Sequence, residues 1–390
     1  MAHPLPDFET MIAALVATPS VSSVQPDFDR PNQAVCERLA GWLEDAGLAV
    51  ALRPVPGRPG KTNLIARTGP GPAGLVLAGH TDTVPCDPDL WAHDPFEVRR
   101  EEGVLTGLGV ADMKGFLALA VQAAARHADA RLAAPLVILA TADEESSMSG
   151  ARDLVADDPG LGPFAVIGEP TGLQPVYRHK GILMEAIRLT GQSGHSSNPA
   201  LGRNALEGML VVADALKRLR ADWAARYTDP SFEVAEPTLN LGHIRGGDNA
   251  NRICGRCELH VDVRLNPGMT VAATRDELRR AVRTCLAGSG LTVDFEALFE
   301  GVNPMQGRRE GPLLAACEHL SGHEPGTVCF GTEGPFLEDL GIETVIMGPG
   351  SIDVAHQPNE CLELAAAEQC TQLLDGLIAR HCVAADRTGS

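Results

Sequence analysis

At 390 residues the chain exceeds the ~250–300 at which one hydrophobic core usually stops growing, so two domains are expected. Its 32 Lys and Arg against 51 Asp and Glu leave a formal charge of −19, which repels phosphate backbones and anionic headgroups and argues against nucleic acid or a membrane surface as partner. At 44% hydrophobic and 21% charged, with 41 Gly and 28 Pro, the composition is that of a globular protein with many tight connections, not a disordered one.

In chain order, apolar positions recur at helical spacing over residues 8–17 and 32–46, the second stretch ending at Gly47. Short apolar runs at 63–67, 74–78, 135–140 and 164–167 read as buried strands, with helical patterns at 114–127 and 149–156 between them. This βαβα alternation predicts a layered α/β domain. From residue 181 the pattern becomes strand (182–190), helix (204–220), strands (238–243 and 258–264), helix (271–286) and strand (291–298). That is an inserted α+β unit of ferredoxin-like order, expected over 181–296. Helices at 312–320, 333–340 and 362–381 and a strand at 344–347 complete the first domain, expected over 1–180 and 297–390.

The ten Cys are neither dense nor regular and read as buried apolar residues in a reducing compartment. Cys254 and Cys257 form a C-x-x-C with no second pair at matching spacing, so a structural zinc knuckle is not expected. The first twenty residues lack a basic segment followed by an apolar core, and no apolar run reaches the ~20 residues of a membrane span, which predicts a cytoplasmic protein.

Chemistry collects where the apolar strands end. GLVLAGHTDTVP sets His80 and Asp82 two residues apart on extended backbone, facing one side. The pair reads equally as a capped strand-end turn or as a ligand with a carboxylate on its other ring nitrogen. GLGVADMKGF puts Asp112 at a helix start, where alone it would be an N-cap. LVILATADEESSMSGA ends a strand with Asp143, Glu144 and Glu145 adjacent, an arrangement whose mutual repulsion calls for a cation. Glu169 follows another strand in AVIGEPTG, and His356 lies in the Gly/Pro-rich GPGSIDVAHQPNE. Side chains at the ends of neighbouring strands converge on one crevice. Imidazole and carboxylate donors without thiolate suit a hydrolytic zinc, cobalt or manganese centre. No G-x-S-x-G elbow occurs and Cys86 has no evident base, which argues against a nucleophilic hydrolase.

GHTDTVP, GLGVADMKG, ATADEES, IGEPT and AHQPNE together resemble the metal-site segments of the metallopeptidase M20 family of dinuclear zinc aminoacylases and deacetylases. TPSVSS, NPALGRNAL and TLNLGHIRGGDNANRICGRCELHVDVR resemble its N-acyl amino acid deacetylases in particular. The resemblance implies a zinc-exopeptidase-like catalytic domain with an inserted dimerisation or lid domain, in a homodimer. It further implies two divalent ions per subunit, Zn²⁺ first and Co²⁺ second. Asp112 would bridge them, His80 and Glu169 completing one site and Glu145 and His356 the other. Glu144 would be the general base and Asp82 would orient His80. His195, in QSGHSSNPALG, would stabilise the oxyanion in the partner subunit's site, and alone it reads as a solvated loop residue. Asn251 and Arg264 would bind the substrate carboxylate, with Gly350 and Ser351 adding donors. Two departures touch the expected substrate pocket: Gly334 where the deacetylases carry Ala after the Glu of GTEGPF, and Asp353 where they carry an amide. Asp353 reads either as a partner for a cationic substrate amine or as a solvated loop acid.

Overall fold

The computed structural model describes residues 5–128, 130, 132–157 and 159–383. The elements run α1 (Phe8–Val16), α2 (Gln33–Asp45), β1 (Ala49–Pro54), β2 (Thr62–Arg67), β3 (Leu75–His80), β4 (Arg99–Glu101), β5 (Val104–Thr106), α3 (Lys114–Arg126), β6 (Leu136–Thr141), α4 (Ser149–Asp157), β7 (Phe164–Pro170) and β8 (Val176–His179). They continue with β9 (Gly181–Thr190), α5 (Ala205–Tyr227), β10 (Thr238–Gly246), β11 (Arg256–Leu265), α6 (Val271–Cys285) and β12 (Thr292–Val302). The chain closes with α7 (Pro312–Ser321), β13 (Gly326–Val328), α8 (Gly334–Asp339), β14 (Glu343–Gly348), β15 (Cys361–Glu363) and α9 (Leu364–His381).

The chain divides into two units. The first, residues 1–177, 307–326 and 336–390, is α/β. Its sheet order is β1-β2-β6-β3-β7-β14. The central strands β6, β3, β7 and β14 are mutually parallel. Both faces of such strands are covered, so β3 and β6 read as unbroken apolar runs and are buried at every position. Helix α3 carries small apolar residues almost all round and is likewise buried, its Phe116 lying under Gly168 of β7. A Cβ at Gly168 would meet that ring at 1.9 Å, so only glycine fits the crossing.

The second unit, residues 178–306 and 327–335, holds an antiparallel sheet in the order β10-β11-β9-β12. Helices α5 and α6 cover one face over Leu183, Ile187, Met209, Leu216, Val261, Leu278 and Val282. The expected limit at residue 296 falls inside β12, because the pairing of that strand with β9 continues through two register shifts to Val302. The turn at 327–335 also groups with this unit, through His179. His179 donates from Nδ1 to the Lys180 carbonyl (2.8 Å) and accepts the Thr332 N–H at Nε2 (3.3 Å).

Burial pushes the His179 pKa down to about 4. The folded value lies below the unfolded ~6.5, so its contribution to stability is complete above pH 6.5 and is lost as pH falls toward 4, by about 3 kcal/mol in all. Urea denaturation of wild type and His179→Gln between pH 4 and 7 is expected to show a shallower pH dependence in the variant. Parallel curves would refute the assignment.

Candidate metal centre

The parallel strands β3, β6, β7 and β14 deliver their carboxyl ends to one place in the first unit. His80 closes β3, paired in register with Thr141 of β6, and Asp143 to Glu145 follow directly. Glu169 stands near the end of β7, and the segment after β14 carries His356. Asp112 precedes Met113, the N-cap of α3, which makes no side-chain capping bond. Its carboxylate lies 3.0 Å from His80 Nε2 and 3.3 Å from His356 Nε2. Asp112 is therefore not the N-cap of α3, and its oxygens point at the two histidines.

The five expected ligands form a chain of neighbours. Glu169 lies 4.0 Å from His80 and Glu145 lies 3.0 Å from His356, while Asp112 touches both histidines and occupies the middle, as a bridging ligand must. Donors around a tetrahedral ion at 2.0–2.2 Å sit roughly 3.3 Å apart, so these separations suit cation binding. Ligand atoms of His80, Asp112 and Glu145 all lie within 4.8 Å of one another, as do those of His80, Glu144 and Glu169. Glu144, expected as the general base, thus also has a carboxylate oxygen within reach of His80 and Glu169.

Charge makes the same case. Five carboxylates, from Asp82, Asp112, Glu144, Glu145 and Glu169, crowd around the buried imidazole of His80 and the exposed one of His356. Burial alone would lower the His80 pKa, but Asp112, Asp82 and Glu169 hold it well above the usual histidine value. Asp112 and Glu145 push His356 up to about 10 against its burial. Burial and the Asp112 charge raise Glu145, and burial raises Asp82. Against burial, His356 and His80 pull Asp112 well below the usual carboxylate range. The acids therefore demand positive charge, which divalent ions supply while releasing imidazolium protons.

Asp82 does more than the sequence suggested. The His80 Nδ1 bonds the Asp82 carbonyl oxygen at 3.0 Å, with the carboxylate farther away at 3.7 Å. That carboxylate instead accepts the backbone N–H of Glu144 (3.3 Å) and Glu145 (3.1 Å). The turn is also held from below by Asp143, which accepts from Ser22 and Ser149 and pairs with buried Lys61 at 2.7 Å. Sequence reasoning missed Lys61 and also Glu360, whose buried carboxylate accepts the N–H of Gly109, Ala111 and Asp112. Burial and the Asp112 charge push Glu360 up to about 7 in spite of those bonds. Its only sequence signal was a lone acid four residues after His356.

Residues 76–380 match peptidase family M20/M25/M40. The chain is 45% identical over 380 residues to an acetylornithine deacetylase of Proteus mirabilis (strain HI4320), covering 97% of this chain and 98% of that one. It is 45% identical over 378 residues to an acetylornithine deacetylase of Edwardsiella ictaluri (strain 93-146), covering 97% and 98%. The chain belongs to peptidase family M20/M25/M40. Two solved M20 structures share its fold at 16% identity. The metallo-carboxypeptidase Sso-CP2 of Sulfolobus solfataricus has a TM-score of 0.76 over 96% of this chain and 99% of its own. The dinuclear metal-binding peptidase YXEP of Bacillus subtilis has 0.65 over 95% and 96%.

The other expected site residues of this M20/M25/M40 chain fall in three places. Gly350 and Ser351 border the strand end that carries Glu169: the Gly350 carbonyl accepts the Gly172 N–H at 2.7 Å, and Ser351 bridges to Thr171. In the second unit, His195 bridges to Arg252 and the Ser196 N–H bonds the Asn251 carbonyl, so His195 and Asn251 share one loop cluster. His195 is exposed, and its Nδ1 accepts the Ser197 N–H at 3.2 Å. Arg264 stands apart from them, eight residues and so about 26 Å along β11 from Arg256, the strand end that the Asn251 loop leads into. Its Nε donates to Asp262. Asn251 and Arg264 therefore lie toward opposite ends of β11. Gly334 has a packing reason, since an alanine Cβ there would lie 2.7 Å from Met305 Sδ. Asp353 is exposed, its N–H donating to Ser351 Oγ.

Proposed function

We propose that the chain hydrolyses the acetyl amide of N2-acetyl-L-ornithine to acetate and L-ornithine, in the cytoplasm, as a step of arginine biosynthesis. The observation that carries this reading is the convergence of His80, Asp112, Glu145, Glu169 and His356 around Glu144, in a chain 45% identical along almost its full length to acetylornithine deacetylases. Two divalent ions, Zn²⁺ first and Co²⁺ second, would supply water activation and carbonyl polarisation. His80, Asp112 and Glu169 would hold one, and Asp112, Glu145 and His356 the other.

The chain's own groups do the rest. Glu144 accepts the proton of the attacking water on a carboxylate oxygen and delivers it to the departing α-amine nitrogen. Asp82 keeps Glu144 aimed by holding two successive backbone N–H groups. His195 offers its Nε2–H to the developing oxyanion in the partner subunit's site, and Asn251 and Arg264 address the substrate carboxylate from separate positions. That separation favours a homodimer in which two copies complete each site. The free edge strand β10 supports it, exposing Leu241 and Ile244 (53% exposed), as do Leu210 and Val211 on α5.

The test is amide hydrolysis by protein loaded with Zn²⁺ or Co²⁺, measured on acetylornithine, acetylcitrulline, acetylmethionine and succinyl-diaminopimelate. Acetylornithine is expected to have the highest kcat/KM, with no turnover after chelation. Preference for another N-acyl amino acid would retain the chemistry and move the substrate assignment, and Asp353 is the first residue to exchange in that case.

A further inference from the structure

We propose that Glu360 is a positioning residue of the metal centre, clamping the backbone of Asp112 and fixing its spacing from His356. This rests on the ligand reading above. The Glu360 side chain is 1% exposed. One carboxylate oxygen accepts Ala111 N–H (2.8 Å) and Asp112 N–H (2.9 Å), and the other accepts Gly109 N–H (3.0 Å). Its own carbonyl accepts Gly107 N–H at 3.0 Å, so four N–H groups of the loop 107–112 are held by one residue about 250 positions away in sequence.

The reach of the clamp follows from its place in the chain. Four residues upstream is His356, which shares the Asp112 carboxylate. Directly downstream, β15 pairs with β5, anchoring Glu360 on its far side. The loop needs the clamp because Gly109 holds φ +85 and packs against Thr83, and α3 begins only at Lys114 with no side-chain cap. A buried carboxylate is tolerated only when its oxygens are bonded, and three convergent N–H groups meet that need. Since Asp112 itself donates one of them, a shift at Glu360 moves the central ligand.

Glutamine keeps the shape but points an NH₂ group at N–H donors. Aspartate keeps the charge and withdraws it by one methylene. Metal-free wild type, Glu360→Gln and Glu360→Asp are titrated with Zn²⁺ against a chromophoric chelator, with melting temperatures measured alongside. Wild type is expected to take up two ions. Glu360→Gln is expected to hold at least one of them about 10–100-fold more weakly, with Glu360→Asp between the two. Activity of the Gln variant should recover as Zn²⁺ is raised, with the substrate KM unchanged. If Glu360→Gln does not fold, Glu360→Asp carries the comparison. Variants with wild-type Zn²⁺ affinity, whatever their melting temperatures, would reduce Glu360 to a loop tie and overturn the proposal. Wild-type protein that binds no Zn²⁺ would overturn the proposed function along with it.

Discussion

Glu144→Gln is expected to lower kcat on acetylornithine by about 10²–10⁴-fold while the protein keeps two bound ions. Glutamine matches glutamate in shape and still leaves the backbone N–H of residue 144 on the Asp82 carboxylate, so the turn should hold. What it cannot do is accept a proton from water and return it to the amine. The competing role comes from the geometry itself, because Glu144 lies within ligand distance of His80 and Glu169. Metal content measured on the same preparation as kcat separates the two. Lost activity with two ions present identifies the base, lost activity with a lost ion makes Glu144 a ligand, and full activity with both ions removes it from the chemistry.

Much of this centre is legible in the amino-acid sequence because apolar runs report buried parallel strands, and in such a sheet the residues just past each run share a crevice. His80 after LVLAG, the acids after LVILAT and Glu169 after AVIG each stand where that rule looks, while the ferredoxin-like order of the second unit is read from its succession of strand and helix patterns. Other features leave no periodic trace. Strands β1 and β4 are largely exposed and carry no apolar alternation, so nothing marked them as strands. The Asp82 carboxylate looked like the natural partner of its neighbour His80, yet the chain turns so that the nearby carbonyl takes that bond and the carboxylate meets the next loop. Glu360 and Lys61 act on loops far away in sequence, and only the folded chain reveals whom they hold. Asn251 and Arg264 were expected at the substrate carboxylate from the resemblance alone, and how far along β11 the second lies from the loop of the first is set by the extended strand between them.

Lys61→Met is expected to cost about 3–5 kcal/mol of folding stability, the usual effect of removing one member of a buried ion pair. The ammonium is buried and bonds Asp29 and Asp143 at 2.7 Å each and the Arg30 carbonyl at 2.8 Å. Burial lowers the Lys61 pKa, but Asp143 and Asp29 outweigh it and hold the pKa above the usual lysine value. Methionine fills the space and leaves the Asp143 carboxylate buried with only the Ser22 and Ser149 hydroxyls, beside a centre already rich in acids. Because Asp143 roots the turn carrying Glu144 and Glu145, activity should fall along with stability. Denaturant midpoints for Lys61→Met, Asp143→Asn and the double variant form the cycle that isolates the pair. The double variant is expected to recover part of the loss, since asparagine leaves no uncompensated charge. A single-variant cost below about 1 kcal/mol, the range of exposed pairs, would mean that Lys61 contributes no more than a surface contact and that the serines alone secure the turn.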